Sequence, residues 1–576
     1  MPPAMSDDSF LKGLFGGAVN EGLVFPYPEP SRAEADQVHA VLDGLRRLSS
    51  KVDPAALDRD EAVPDELLAS MRELGLFGLL VPKEHGGAGM GLTGYTRVVQ
   101  ELASIDGSLA LTVSAHHSPG LTALSLLGSD ELKARYLPRA ASVEAIAAFA
   151  RAEAGAGSDA ASIQTRADRD GDAYVLTGEK AWVTNGEHAS LFTVFARTSP
   201  AEDGAKPRLT AFLVERGPGV VTGPNEPKLG VRAASTTRLG LQGVRVPASS
   251  VLGEAGRGFR VAMEVLTLAR LGLAASCIGA SKRLLKMCVE RAGERRAFGR
   301  PLSGFGLVKD KIAVMTAEVF ALESMTYLTT GLVDAGRADY SVESAVCKVF
   351  GSETLWRTAN AAAQIAAGAG YMRAFGWERL LRDARVHMVY QGTNEILRAF
   401  IALSGMQAPG RELEEVSKAM REPIKGFGLL SDFALRKARS ALFPERRERM
   451  ARAHALLARE VVLFEEYTAQ LAKSVDTVLR RHGKNIAEMQ YTQKRVADVA
   501  IDLYALAACI ARTTLAVERR GEEGARRELD LTSVFAGAAE KRLAENVAAF
   551  DKNDDELRKA VAAKTCADGG YPLDVL

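Results

Sequence analysis

The chemistry this chain could perform is concentrated in a few short segments. In VYQGTNEILR (Val389–Arg398) Gln391 stands before a Gly-Thr pair, with His387 four residues before it and Glu395 four residues after. On a helix those spacings bring side chains to one face. An amide, however, has essentially no basicity near neutral pH, although it can donate and accept hydrogen bonds. His387 lies in VHMVY, and a histidine in so apolar a run is more often packed than catalytic. Three other segments carry unusual density of glycine, charge and aromatic residues. They are EAGAGSD (Glu153–Asp159) with GEKAWVTNG (Gly178–Gly186), ERRAFGRPLSGFG (Glu294–Gly306), and QIAAGAGYMRAFGWERLLRDAR, which begins at Gln364.

The elements around these segments change period along the chain. Apolar residues recur at three- and four-residue spacing in LLASMRELGLFGLL and TRVVQELASI, which predicts helices from about Arg32. Short alternating runs bounded by turn residues follow, among them AYVLTG, LFTVFART and RLTAFLVERG, and predict a β domain. Helical periodicity returns near Gly258 and continues to the end. The expected organisation is an N-terminal extension (1–31), a helical domain (32–146), a middle β domain (147–255), a helical bundle (256–407) and a C-terminal helical domain (408–576). The fold class is mainly α with a central β domain. GGAGMG (Gly86–Gly91) follows a helical segment and the charged PKEH rather than a strand, so a surface turn is expected there, not a dinucleotide fingerprint.

Composition narrows the function. With 47% hydrophobic and 25% charged residues the chain is globular, and a net charge of +1 provides no global field for nucleic acid. The five cysteines show no metal or disulfide spacing, which fits a reducing cytoplasm. No signal peptide or spanning helix is expected, since Asp7 and Asp8 stand where a signal would be basic. From Lys425 to Arg452 an apolar stripe borders a basic run. It predicts peripheral contact with the inner face of a membrane, or a helix packed on its own subunit with a solvated charged face.

Taken in order, the segments resemble the acyl-CoA dehydrogenases, in the long form with an extra C-terminal helical domain found in the very-long-chain enzymes. The resemblance implies a helical N-terminal domain, a β barrel-like middle domain, a four-helix domain and a homodimer. It implies FAD as cofactor, acyl-CoA as substrate, an electron-transferring flavoprotein as acceptor, and α,β-dehydrogenation in fatty acid β-oxidation. By position, Phe149, Ala152, Ser158, Trp182 and Thr184 would wall the flavin. Arg295, Phe298, Gln364 and Gly368 would reach cofactor across a subunit interface, and Thr393, Asn394 and Glu395 would close over it. Ser158, Arg270 and Gly392 would meet the thioester or its CoA arm.

The sequence departs from that pattern where it matters most. The usual catalytic carboxylate is the residue before the Gly-Thr, and here that residue is Gln391. The alternative station, just before Arg270, is Ala269. Ala152, Ala154 and Lys309 also differ from the residues usual at those places. The departures predict either a dehydrogenase with a different base, a silent relative acting as a binding or assembly protein, or flavin chemistry without α-proton abstraction.

Overall fold

The computed structural model describes residues 9–142, 144–198, 208–336, 339–411 and 450–574. The chain divides into two compact units, one of residues 26–397 and one of residues 8–25 with 398–576. The basic run expected to meet a membrane lies outside the described residues, save for its last three.

The first unit opens with helices whose starts are written in the sequence. Ser31 accepts from the Glu34 N–H to begin Arg32–Ser49, and Asp106 accepts from Ser108 and Leu109 to begin Gly107–Ala115. The helix Leu92–Ile105 buries Tyr95, Val98, Val99 and Leu102. It lies so close to the long helix Gly258–Glu294 that a Cβ at Gly279 would stand 1.9 Å from the Gln100 carbonyl oxygen. That approach requires glycine.

The middle region is a seven-stranded sheet: β1 (Ile146–Ala150), β2 (Arg166–Asp170), β3 (Ala173–Thr184), β4 (Ala189–Thr198), β5 (Arg208–Glu215), β6 (Val220–Thr222) and β7 (Thr236–Pro247). The strands run β1-β4-β2-β3-β7-β6, with β5 paired to β4. A register shift on β3 between Lys180 and Val183 decides how the site is built. In a regular strand Lys180 and Trp182 would share a face. The bulge, with Trp182 at φ +56°, sends Lys180 inward to full burial and leaves the indole 56% exposed.

The bundle consists of Gly258–Glu294, Gly306–Asp334, Ser341–Ala366 and Trp377–Val386, with Asn394–Gly405 following the Gln391 turn. Gly258–Glu294 and Gln490–Gly524 are long and apolar enough to cross a bilayer. Their most apolar windows are 78% and 83% buried within the protein, as core helices are.

In the second unit Ala458–His482, Gln490–Gly524 and Arg526–Ala548 form the main helices. The N-terminal extension expected from the sequence is instead largely part of this unit. The helix Phe10–Leu14 is buried here, with Phe10 stacked on Phe464 at 6.3 Å and tilted against Tyr504 at 6.2 Å. Phe10, Leu11, Leu14 and Phe15 are all buried, and that apolar load explains why the segment packs rather than trails.

Candidate active site

The Gln391 turn is built from left-handed backbone, with φ +58° at Gln391 and +99° at Gly392. Glycine adopts such values readily, whereas glutamine is strained there and must be held. Two buried cations hold the turn. Arg270, 4% exposed, donates from Nε to the Gln391 carbonyl at 3.4 Å. Lys348, fully buried, donates from Nζ to the Gly392 carbonyl at 2.7 Å and to Asn394 Oδ1 at 2.8 Å. Burial, with the charge of Arg270 nearby, draws the Lys348 amine down to about 7 and Arg270 down to about 10. Among the described residues nothing accepts from the Gln391 backbone N–H, so the turn has a donor to offer.

The expected site residues separate into two groups. Asn394, expected to close over a cofactor, turns its side chain into the bundle instead. Its amide donates to Ser352 Oγ and Glu353 Oε1, both at 3.0 Å, and it is 3% exposed. Any contact from this position to a ligand therefore comes from its backbone. Arg270, expected beside the CoA arm, is buried with Nε on the turn. By contrast Ser158, Trp182, Arg295, Phe298, Gln364, Gly368 and Glu395 are exposed, and Phe149, Ala152, Thr184, Gly392 and Thr393 are half-buried.

The other candidate acids and bases are occupied elsewhere. His387 is buried with Nδ1 3.1 Å from the Asp383 carbonyl, and burial pushes its pKa down to about 4. Glu153 binds Lys180 Nζ at 2.7 Å, the Thr165 hydroxyl at 2.5 Å and the N–H groups of Gln164 and Thr165. Burial alone would raise this carboxyl, but those partners outweigh it and hold it below the usual range. Glu153 thus ties its loop to β3. Ala269 is buried and carries no polar group. One residue of the turn escapes a reading of the sequence: Lys348 looks like an ordinary helical lysine.

The features expected of a flavin site are consistent with one another. A cavity of about 400 Å³ is lined by Arg291, Arg295, Lys311, Gln364 and Gly368 among others. Three cations around a bare backbone suit a diphosphate. Phe298 is 95% exposed, and a Cβ at Gly368 would meet nothing within 4 Å, so a flat or phosphorylated ligand can approach closely. The exposed indole of Trp182 gives an aromatic face for an isoalloxazine. The residues present fit FAD. Among the described residues no cluster suited to a metal ion occurs.

Comparison with known proteins agrees with the geometry. Models of the acyl-CoA dehydrogenase N-terminal, middle and C-terminal domains match residues 36–144, 148–244 and 256–406. The C-terminal domain model of the ACAD9/ACADV type matches residues 455–571. The human mitochondrial very long-chain specific acyl-CoA dehydrogenase is 37% identical over 96% of this chain and 86% of its own length. A probable acyl-CoA dehydrogenase of Bacillus subtilis is 34% identical over 86% of this chain and 84% of its own. The crystal structure of an acyl-CoA dehydrogenase complexed with FAD from Bacillus anthracis superposes with a TM-score of 0.78 at 28% identity, covering 98% of this chain and 96% of that one. The chain belongs to the acyl-CoA dehydrogenase family. Its C-terminal match places it among the long forms, and FAD is its cofactor.

Proposed function

We propose that the protein oxidises acyl-CoA thioesters between Cα and Cβ as a homodimer that shares its cofactor sites and delivers electrons to an electron-transferring flavoprotein. The observation that carries this reading is the Gln391 turn, strained and held by Arg270 and Lys348 with an unused N–H at its tip. Such a donor, fixed before substrate arrives, polarises a thioester carbonyl and acidifies the neighbouring carbon. Bound FAD supplies the hydride acceptor. The chain's own part is to align the acyl group and to exclude water. Trp182 covers one edge of the site, while Arg295 and Gln364 hold the phosphates of the other subunit's cofactor. Ser158 and Gly392 meet the thioester and its CoA arm. Cytoplasmic location, with membrane contact through 425–452, belongs to the same proposal and rests on composition and on that basic run.

Gln391 and Ala269 favour a second reading, in which flavin and thioester bind but the α-proton is not removed, and the protein serves in binding or assembly. General-base catalysis is worth about 10²–10⁴-fold, so its loss would silence ordinary turnover. Anaerobic addition of acyl-CoAs of several chain lengths to the flavin-loaded protein separates the two. Rapid bleaching of the visible flavin band by the native protein removes the silent reading. Bleaching only after Gln391→Glu removes a dehydrogenase with a hidden base. A colourless protein that cannot be reconstituted with FAD removes both.

A further inference from the structure

The loop between β6 and β7 is joined to the Gln391 turn by an unbroken run of contacts. Gly230 lies so near the helix Trp377–Val386 that a Cβ there would stand 2.4 Å from the Arg382 carbonyl carbon. Val231, at φ +45°, is a β-branched residue in left-handed backbone and must be held. Its N–H donates to Asp383 Oδ1 at 2.5 Å. Arg382, the residue before, donates to the Leu229 carbonyl at 2.9 Å. It also donates to both carboxylate oxygens of Asp58, on the helix Pro54–Asp60, at 2.8 and 2.6 Å. The backbone carbonyl of Asp383 in turn accepts from His387 Nδ1, which carries the proton because a carbonyl only accepts. The imidazole packs on the Tyr390 ring with centroids 5.6 Å apart, and Gln391 is the next residue. A strained non-glycine residue thus stands at each end of the run, Val231 at one and Gln391 at the other.

We propose that Asp383 is a positioning residue for the thioester, latching the Val231 loop to the Gln391 turn so that the turn's N–H is placed only while the loop is closed. This rests on the acyl-CoA dehydrogenase reading and adds a control to its site. The surroundings of Asp383 give the latch a pH sense. Burial, and then the carboxylate of Asp106 at the start of Gly107–Ala115, push the Asp383 carboxyl up to about 7. The Val231 N–H and the guanidiniums of Arg379 and Arg382, on its own helix, oppose them. Arg283 of Gly258–Glu294 also faces the two acids, although it donates to the Ser104 carbonyl at 2.9 Å. From the loop itself, Lys228 turns to the Ala234 carbonyl and Arg232 to Glu61. When the loop lifts and water reaches the Asp383 carboxyl, it returns toward its ordinary value of 3.8. The closed latch therefore binds the proton more readily than the open one. Its proton-linked advantage is full below pH 3.8, declines as pH rises from there to 7, and is gone above 7. Lys348 acts in a separate window, between 7 and 10.5.

The test titrates the full-length FAD-loaded protein with octanoyl-CoA and palmitoyl-CoA without oxygen, reading half-saturation from the flavin spectrum. Across about pH 5.5 to 7 the native protein should lose about fivefold in affinity relative to Asp383→Asn, the lower end of ordinary coupling between sites. The asparagine oxygen still accepts from Val231 but the group never ionises, and the titration of CoA's own phosphate cancels in the comparison. His387→Phe keeps a ring against Tyr390 and severs the link, so the relative loss should vanish although Asp383 still titrates. Hydrogen exchange of the segment 386–394 is read by mass spectrometry on the same proteins without thioester. It should quicken in Asp383→Leu and His387→Phe and stay at the native rate in Asp383→Asn. Should Asp383→Leu not fold, His387→Phe carries the same comparison. Equal pH profiles of native protein and Asp383→Asn, or unmoved exchange in the severed variants, would overturn the proposal while leaving the dehydrogenase reading intact. A relative loss that persists in His387→Phe would show that Asp383 acts by another route, and the proposal is wrong. If neither thioester perturbs the flavin, the dehydrogenase reading falls and the proposal with it.

Discussion

Arg270 donates to the backbone carbonyl of Gln391, not to its side chain. The turn is consequently anchored by peptide groups, and the side chain at 391 can change without releasing it. Gln391→Glu should keep the turn and supply the missing carboxylate. The rate of anaerobic flavin bleaching by a plain saturated acyl-CoA should rise by about 10²–10⁴-fold, measured by rapid mixing. Unchanged rates would mean that proton removal never depended on this position.

Lys348 makes stability depend on pH in a definite direction. In the fold its amine loses its proton near pH 7, whereas the unfolded chain keeps it to about the ordinary lysine value of 10.5. Between those limits the unfolded state binds more protons, so stability rises with pH. The penalty is complete below pH 7 and relieved as pH climbs toward 10.5. Urea unfolding of the native protein and Lys348→Met across this range should give a difference curve that climbs with pH. A flat curve would show that the amine titrates normally.

The family segments, the helical periodicity from about Arg32 and the β island could be read in the sequence because each is a local pattern. The apolar spacing of TRVVQELASI, within Leu92–Ile105, shows itself within a few residues. Lys348 does not. In SAVCKVFGS one lysine among apolar residues looks like a solvated side chain, and only packing from several elements removes its route to water. Trp182 is the converse case. Its identity marked the site, but its exposure depends on a bulge that regular alternation in GEKAWVTNG does not foretell. Phe10 shows a third limit, since its partners lie at the far end of the chain.

Trp182→Ala should weaken FAD retention by about tenfold, the loss of one well-formed aromatic contact. Absorbance of the purified protein at the flavin and protein bands measures it directly. FAD should also quench the native indole emission. An unquenched indole in flavin-loaded protein would place the isoalloxazine elsewhere.

Sharing of the cofactor between subunits can be read by complementation. Trp182→Ala and Arg295→Ala proteins should each bind FAD poorly. Refolded together, the mixed dimer should regain one competent site, made from the intact indole of one subunit and the intact guanidinium of the other. No recovery of flavin on mixing would mean that both residues act within one chain.

Glu153 and Lys180 form a buried ion pair that fastens the loop before β2 to the bulged strand. Removing one charge of such a pair leaves the other stranded, at a cost of about 3–5 kcal/mol. Glu153→Ala should therefore lower the melting temperature markedly and release FAD at lower temperature than the native protein. Restoration by Glu153→Asp would tie the effect to charge rather than volume.

The packing of Phe10 against Phe464 and Tyr504 has a consequence for biosynthesis. Phe10 leaves the ribosome long before Phe464 and Tyr504 are made, and its ring has no place to go until the helix Gln490–Gly524 has followed. At about 5–20 residues per second the wait is on the order of half a minute or more. During that interval the segment Phe10–Phe15 carries bare apolar side chains, the kind of surface that chaperones recognise.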